Sequence, residues 1–569
     1  MAIRAGNESE SRELVSRPLA GEIDEILSAR GAARVEKLLA SQDLPRLVPL
    51  LPPEELFFTL KEMGEENLPD LLAHARADQV QFVLDLDLWR KDRLRPERTA
   101  AWLRRLADAG EGAVRRWLKQ LEPSTWVVLL NSVAKVRVAD PETDPFQEST
   151  GRAPFTLDGV HYVSAAEEAE PAIRQVLATA REEDPQLYYR LMESIPRDPD
   201  PELEERAFDE KQRRLAHRGF PGWEEAYEVY ARLSPLSLET LPRREELSPE
   251  APDEPEVAPR YALAAGGPSA DFLSRVFARL PGSALEAVRG ELAYLTNKVL
   301  VADGFDPSEL DSYGRALRKV AGYVSVGLEL FAGPDEVNGA SLLQRHWLQH
   351  LFRAGWTRIR QVQSKARRFL DKSWPSAKME RLLFLDTPLP EIIDGVLRRH
   401  PLWYAGEAEV PPLRDFASLS EVERAERAID KSDFLGTFLL SVVDFRLEDL
   451  QKATLRLDAE NLKSRTVFLT ALLNAALERG FRFAPVERQA AAGGLAKLWT
   501  ADEPPRRIRP ELLDAAFQWS RAMVQPSQES EGFLDEFIDD ALDLLEEEFG
   551  HLAPGELPDP RFTRGLWIV

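Results

Sequence analysis

The sequence of 569 residues contains no cysteine. That excludes disulfide scaffolds, thiol catalysis, iron–sulfur clusters and cysteine zinc sites. Histidine is sparse, with seven in the chain, so a catalytic or metal site requires distant residues to converge. Lysine is also scarce: 15 of the 73 basic residues, against 58 arginines. Positive charge is in deficit, with 97 acidic residues and a net charge of −24. A general nucleic-acid binder is therefore excluded, because no cationic excess exists to displace phosphate counterions. Long apolar runs are missing. The strongest, Val467 to Leu477, covers 11 residues and contains Thr470 and Asn474. A helical membrane span needs ~20, so this run reads as a buried helix. The first residues lack the apolar stretch of a secretory leader. The expectation is a cytoplasmic protein without membrane insertion. Phosphate-cradling glycine loops and the nucleophile-elbow motif are absent, and no catalytic residue or cofactor is nominated.

What is present is helical periodicity. From Leu38 to Val138 apolar residues recur three and four apart. Pro52-Pro53-Glu54-Glu55, Arg95-Pro96-Glu97 and Glu122-Pro123-Ser124 each open a helix. Proline suits the first turn, where its missing N–H would be unpaired anyway, and acids suit the positive helix end. Such short helices bury their apolar faces only by stacking on one another. The pattern predicts a mainly α chain, with stacked, solenoid-like short helices in the N-terminal half and a helical bundle in the C-terminal half. One small β-hairpin is expected at 155–163, because Asp158-Gly159 sits between β-branched and aromatic residues. The organisation reads as an extension at 1–37, the repeat domain at 38–138, and an acidic loop, hairpin and helices at 139–232. A proline-rich acidic linker follows at 233–260, then a helical domain at 261–555 and an apolar tail at 556–569.

Leu51-Pro52-Pro53-Glu54-Glu55-Leu56, Asn67-Leu68-Pro69-Asp70-Leu71-Leu72 and Ala77-Asp78-Gln79-Val80-Gln81-Phe82-Val83-Leu84 carry a resemblance. About residues 38–135 resemble the short-helix repeats of the cytosolic N-terminal domain of magnesium transporters and the middle domain of the flagellar motor switch protein. The motif, leucine, proline, paired acids and leucine, is unspecific, and no transporter membrane domain follows it. The whole chain resembles an uncharacterised family of bacterial helical proteins, a label that implies no activity.

Several constellations compete for a function. His346 and His350 have the one-turn spacing of zinc ligands on a helix, but Trp347 stands where a metalloprotease has glutamate. The alternative is a polar helix face. Residues 342–374 read as one basic helix, with Arg345, Arg353, Arg358 and Arg360 interleaved with Trp347, Phe352 and Trp356. That mixture suits a phosphate backbone with stacked bases. It equally suits core aromatics whose arginines meet acids of the same chain. Residues 529–548 hold ten acids and no base, with Asp535, Glu536, Asp539 and Asp540 on one face. Like charges one turn apart destabilise a helix by a few tenths of a kcal/mol per pair. We therefore expect this helix to dock near Arg358 and Arg360. Asp140, Glu142 and Asp144 alternate as in a calcium loop, but Pro145 stands where that loop needs glycine. Leu566, Trp567 and Ile568 either pack on the chain's own body or dock into a partner. The sequence favours a non-enzymatic cytoplasmic scaffold with a protein partner. The alternatives are a ligand- or divalent-cation-responsive regulator, or an enzyme assembled from distant residues. Partner identity and oligomeric state are not legible.

Overall fold

In the computed structural model the described residues are 21–63 except 24, 28 and 30, then 68–90, 92–138, 153–195, 201–234, 236–244, 272–443, 463–500, 506–509, 517, 518, 520, 528–552, 556 and 563–569. The calcium-loop candidate at 140–144 and most of the 233–260 linker lie outside them.

The fold is mainly α. The first unit, residues 1–355, contains α1 (Gly31–Ala40), α2 (Leu44–Leu47), α3 (Pro53–Glu62), α4 (Leu68–Leu72), α5 (Ala77–Asp87), α6 (Pro96–Asp108), α7 (Glu111–Gln120) and α8 (Pro123–Asn131). It continues through α9 (Glu170–Glu183), α10 (Pro185–Ser194), α11 (Pro201–Ala216), α12 (Trp223–Tyr227), α13 (Phe272–Phe277), α14 (Gly282–Ala302), α15 (Leu310–Ala332) and α16 (Glu336–Arg345). Helix α17 (Leu348–Lys372) crosses the division after Gly355. The second unit adds α18 (Leu389–Leu397), α19 (Leu419–Val442), α20 (Ser464–Ala476), α21 (Arg488–Leu498) and α22 (Gln528–Phe549). No helix among the described residues is long and apolar enough to cross a membrane.

Proline opens α3, α6 and α8 at their first residue, as the motifs predict. The short helices pack on near neighbours in sequence: α1 on α3, α3 on α5, α4 on α6 and α5 on α7. Leu56, Leu71, Leu103, Trp117 and Trp126 are fully buried along this stack. Arg34 and Glu55 join its start as a buried pair at 2.6 Å, and the Arg34 guanidinium also donates to the carbonyls of Leu27 and Ala29. Asp85 and Asp87 read as ordinary surface acids in sequence, yet both are buried. Arg214 of α11 grips Asp85 through two nitrogens at 2.8 and 2.9 Å. Asp87 accepts from Lys61 at 2.5 Å and from the Trp102 indole at 2.6 Å. Helices α15 and α17 approach so closely that a Cβ on Gly327 would lie 2.0 Å from the Leu351 carbonyl oxygen.

The expected hairpin is present and larger. β4 (Phe155–Thr156) and β5 (His161–Ala165) pair antiparallel, and β3 (Ala134–Val138) adds a third strand in the order β3-β5-β4. Ala134 and Val136 point inward while Lys135 is exposed, the alternation of a half-buried strand. Two further strand pairs, β1 (Trp89–Arg90) with β2 (Arg93–Leu94) and β6 (Trp403–Tyr404) with β7 (Leu413–Arg414), correct the expectation of a single hairpin.

Asp158 pins the β4–β5 turn. Its Oδ1 accepts from the amides of Val160 at 2.9 Å and His161 at 2.8 Å, and its Oδ2 lies 2.7 Å from the His161 ring. Burial pushes this carboxyl up, but the His161 amide and ring and the Val160 amide outweigh it and hold it well below the usual range. A carboxyl lowered in the folded state stabilises fully above its unfolded value near pH 4, and that contribution fades as pH falls through the folded value. Acid unfolding followed by circular dichroism should therefore show a shallower acid limb in Asp158→Asn than in the parent chain. Superimposable acid limbs would remove the turn's role.

Candidate functional site

The two histidines do not share a helix face. The chain breaks at His346 and Trp347, between α16 and α17. The break is built by a residue of the expected linker. Arg244 is buried, and its Nη2 donates to the carbonyls of Leu343 at 2.5 Å and His346 at 2.6 Å, closing the C-terminus of α16. Its Nη1 pairs with Glu291 of α14, whose Oε2 accepts the Leu348 amide at 3.1 Å and so caps α17. One ion pair thus satisfies orphan groups on both helix ends. The ring Nδ1 of His346 meets the Pro242 carbonyl at 3.1 Å. Burial and neighbouring arginines lower both histidines, so they stand neutral. Among the described residues no group of three or more histidines or acids is placed to hold a metal. These contacts join residues on both sides of 245–271 within one unit.

Much of the basic stretch from Arg345 to Lys365 is also engaged, while Arg367 and Arg368 stay exposed. Phe352, Trp356 and Phe369 are buried core residues and offer no ring to a base. Arg345 donates to the Ser341 hydroxyl, and Arg353 to the Ala231 carbonyl. Arg360 lies over the Trp356 ring, 5.3 Å from its centre. Arg358 and Lys365 pair with Glu426, and Lys365 also with Asp430, all acids of α19. Glu536 of the acidic α22 pairs instead with Arg427 and Lys431 of the same α19. Direct docking of 529–548 onto Arg358 is therefore corrected: α19 supplies acids to one helix and bases to the other. Asp539 and Asp540 remain exposed, and slight burial with the nearby charges of Asp535, Asp543 and Asp540 raises the Asp539 carboxyl.

The tail takes the self-packing alternative. Leu566 and Ile568 are buried, and Ile568 bridges Val486 in parallel. Thr470 accepts the Trp567 amide at 2.9 Å, and Trp567 packs 4.8 Å from Phe483.

No sequence motif marks a concave place found in the second unit. A cavity of about 400 Å³ opens between three short pieces of chain. A 3-10 helix, Met379–Phe384, contributes Met379, Leu382, Leu383 and Glu380. Helix α18 contributes Pro390, Glu391 and Asp394 from its outer side, while Ile393 and Val396 are buried. The β6–β7 pair contributes Tyr404, Pro412 and Leu413. Gly395 lets α18 lie against the chain before β6, since a Cβ there would stand 2.7 Å from the Leu402 carbonyl oxygen. Arg414 fastens β7 to the start of α19 through Glu421 at 2.7 and 3.1 Å. The Ser464 hydroxyl and the Arg465 amide and guanidinium bind Asp386, which joins the loop before α18 to α20.

The cavity walls are apolar and every charged residue in them is acidic. Leu383 is 63% exposed and Met379 36%. Asp394 is tied to Arg398 at 3.0 Å. Glu391 Oε2 has no hydrogen-bond donor among the described residues. Partial burial and the carboxylates of Glu407 and Glu391 push the Tyr404 phenol up.

A profile of a family of unknown function, DUF6178, matches residues 11–569. The chain belongs to this family. The likeness to an uncharacterised helical family is thereby shown. No curated protein and no solved structure matches the chain. For this DUF6178 chain the site must be argued from its residues. Sequence reasoning missed the cavity because Leu383 and Leu382 are indistinguishable in sequence, yet one is exposed and the other buried.

The helix break gives a stability test. Arg244→Leu leaves the partly covered Glu291, already raised by burial, without its base. Breaking one half of such a pair costs about 3–5 kcal/mol. Urea unfolding of the first unit should show that loss, and Arg244→Met with Glu291→Leu should recover part of it. A single substitution within about 0.5 kcal/mol of the parent chain contradicts the clamp.

Proposed function

We propose that this DUF6178 chain is a non-enzymatic helical scaffold that docks a protein partner in the groove lined by Leu383, Glu391 and Tyr404. The observation that carries the reading is an apolar cavity whose charged residues are all acidic. Its volume of about 400 Å³ lies at the lower end of recognition pockets, which run ~300–1,000 Å³. Interfaces draw most of their energy from a few anchors seated in such pockets. The fitting occupant is a segment with one large apolar side chain flanked by lysine or arginine. The apolar chain fills the walls, and the cation meets Glu380 and the unpartnered oxygen of Glu391. Proton transfer is poorly served here: Asp394 is held by Arg398, and the Tyr404 phenol is pushed up. A cytoplasmic setting belongs to the same proposal, supported by the cysteine-free composition.

Selection of random displayed peptides on the purified full chain tests this. Enriched peptides should pair one Trp, Phe or Leu with adjacent Lys or Arg. Leu383→Asp should abolish their binding, and Glu391→Gln should weaken it about tenfold, or about 1.4 kcal/mol. Enrichment of acidic peptides, or binding indifferent to both substitutions, would overturn the groove assignment.

A further inference from the structure

A second surface lies in the first unit, far in sequence from the groove and independent of it. Helix α12 and the 3-10 turn after it, Glu228–Tyr230, bury Ala226, Val229 and Tyr230. The opposite side carries Trp223 and Tyr227, one turn apart, with ring centres 5.1 Å apart and planes at 25°. Trp223 is 55% exposed and Tyr227 39%. Large aromatic rings left in water are costly unless something covers them. The pair is also rigidly rooted. Tyr227 packs edge-on against Tyr230 at 5.7 Å, and the Tyr230 hydroxyl donates to Asp303 at 2.6 Å. Asp303 in turn accepts from the buried Lys319 at 2.7 Å.

From Trp223 to Tyr230 every charged residue is an acid, and Arg232 and Arg353 lie just beyond this stretch. Glu224, Glu225 and Glu228 are exposed on the same short stretch, and no ion pair to a described residue is formed by any of them. A planar guanidinium is the group that stacks on an indole face while donating to adjacent carboxylates; an ammonium does this less well. We infer that the Trp223–Tyr227 platform is a docking site for an arginine-bearing segment of a protein partner. The arginine lies on the outer face of Trp223, and its donors reach the carboxylates of Glu224, Glu225 or Glu228.

The test titrates the full chain with the acetylated peptide Arg-Gly-Arg-Gly-Arg and its lysine twin, read by calorimetry. The arginine peptide should bind several-fold more tightly than the twin. Trp223→Ala should weaken it at least fivefold, and Glu224→Gln with Glu225→Gln and Glu228→Gln at least as much, with unchanged melting temperatures. A charge-matched control, Asp539→Asn with Asp540→Asn and Asp543→Asn, should leave binding unchanged. Equal binding of both peptides overturns the assignment. So does an equal effect of the control, which would mean that the peptide follows net charge alone. A shift from dimer to monomer on Trp223→Ala, seen by sedimentation, would make the platform a self-association surface and also overturn it.

Discussion

Glu426 and Asp430 stand one turn apart on α19, and Arg427 and Lys431 one turn apart beside them. The acids receive Arg358 and Lys365 of α17, and the bases receive Glu536 of α22. Helices α17 and α22 each carry charge of largely one sign. Without α19 each would press like charges against solvent or against itself. The pairs are partly exposed, and such pairs contribute only ~0–1 kcal/mol apiece. Adhesion must therefore come from buried apolar groups, Ile359, Val362 and Phe369 on one helix and Phe533, Phe537 and Ile538 on the other. The charges act on selection: they determine which face of α19 each helix meets, because the reverse arrangement would set like charges together.

The first unit uses the same chemistry under cover. Arg34 with Glu55 and Lys319 with Asp303 are buried pairs, and Arg244 is buried against a partly covered Glu291. Arg34 spends its remaining N–H groups on main-chain carbonyls, and Arg244 spends its Nη2 in the same way, which helps make a buried guanidinium tolerable. Against this background the groove's acids stand apart. Glu391 keeps an oxygen without a donor, and apolar Leu383 and Met379 stay in contact with water. The groove thus leaves a polar and an apolar group incomplete at one small concave place. Incomplete polar and apolar groups at one concave site are what a partner segment satisfies together.

Local chemistry was legible in the sequence. Proline and acid mark the starts of α3, α6 and α8, and Asp158-Gly159 marks the β4–β5 turn. Both signals act within a few residues. The rest depends on residues that meet only in the fold. Strand β3 continued the apolar spacing of the helices before it, so its alternation was absorbed into them. The break at His346 depends on Arg244, 102 residues earlier. The charge exchange through α19 was invisible because Glu426, Arg427, Asp430 and Lys431 alternate in sign along the chain and mark no partner. The groove draws on three pieces between Met379 and Leu413, none of which carries a motif.

The central claim, that the groove receives a basic, singly anchored protein segment, is met most directly by amide hydrogen exchange on the full chain with and without a selected groove peptide. The account predicts slowed exchange confined to residues 379–384, 389–397 and 403–414. Slowed exchange elsewhere, with those three segments unchanged, would contradict it.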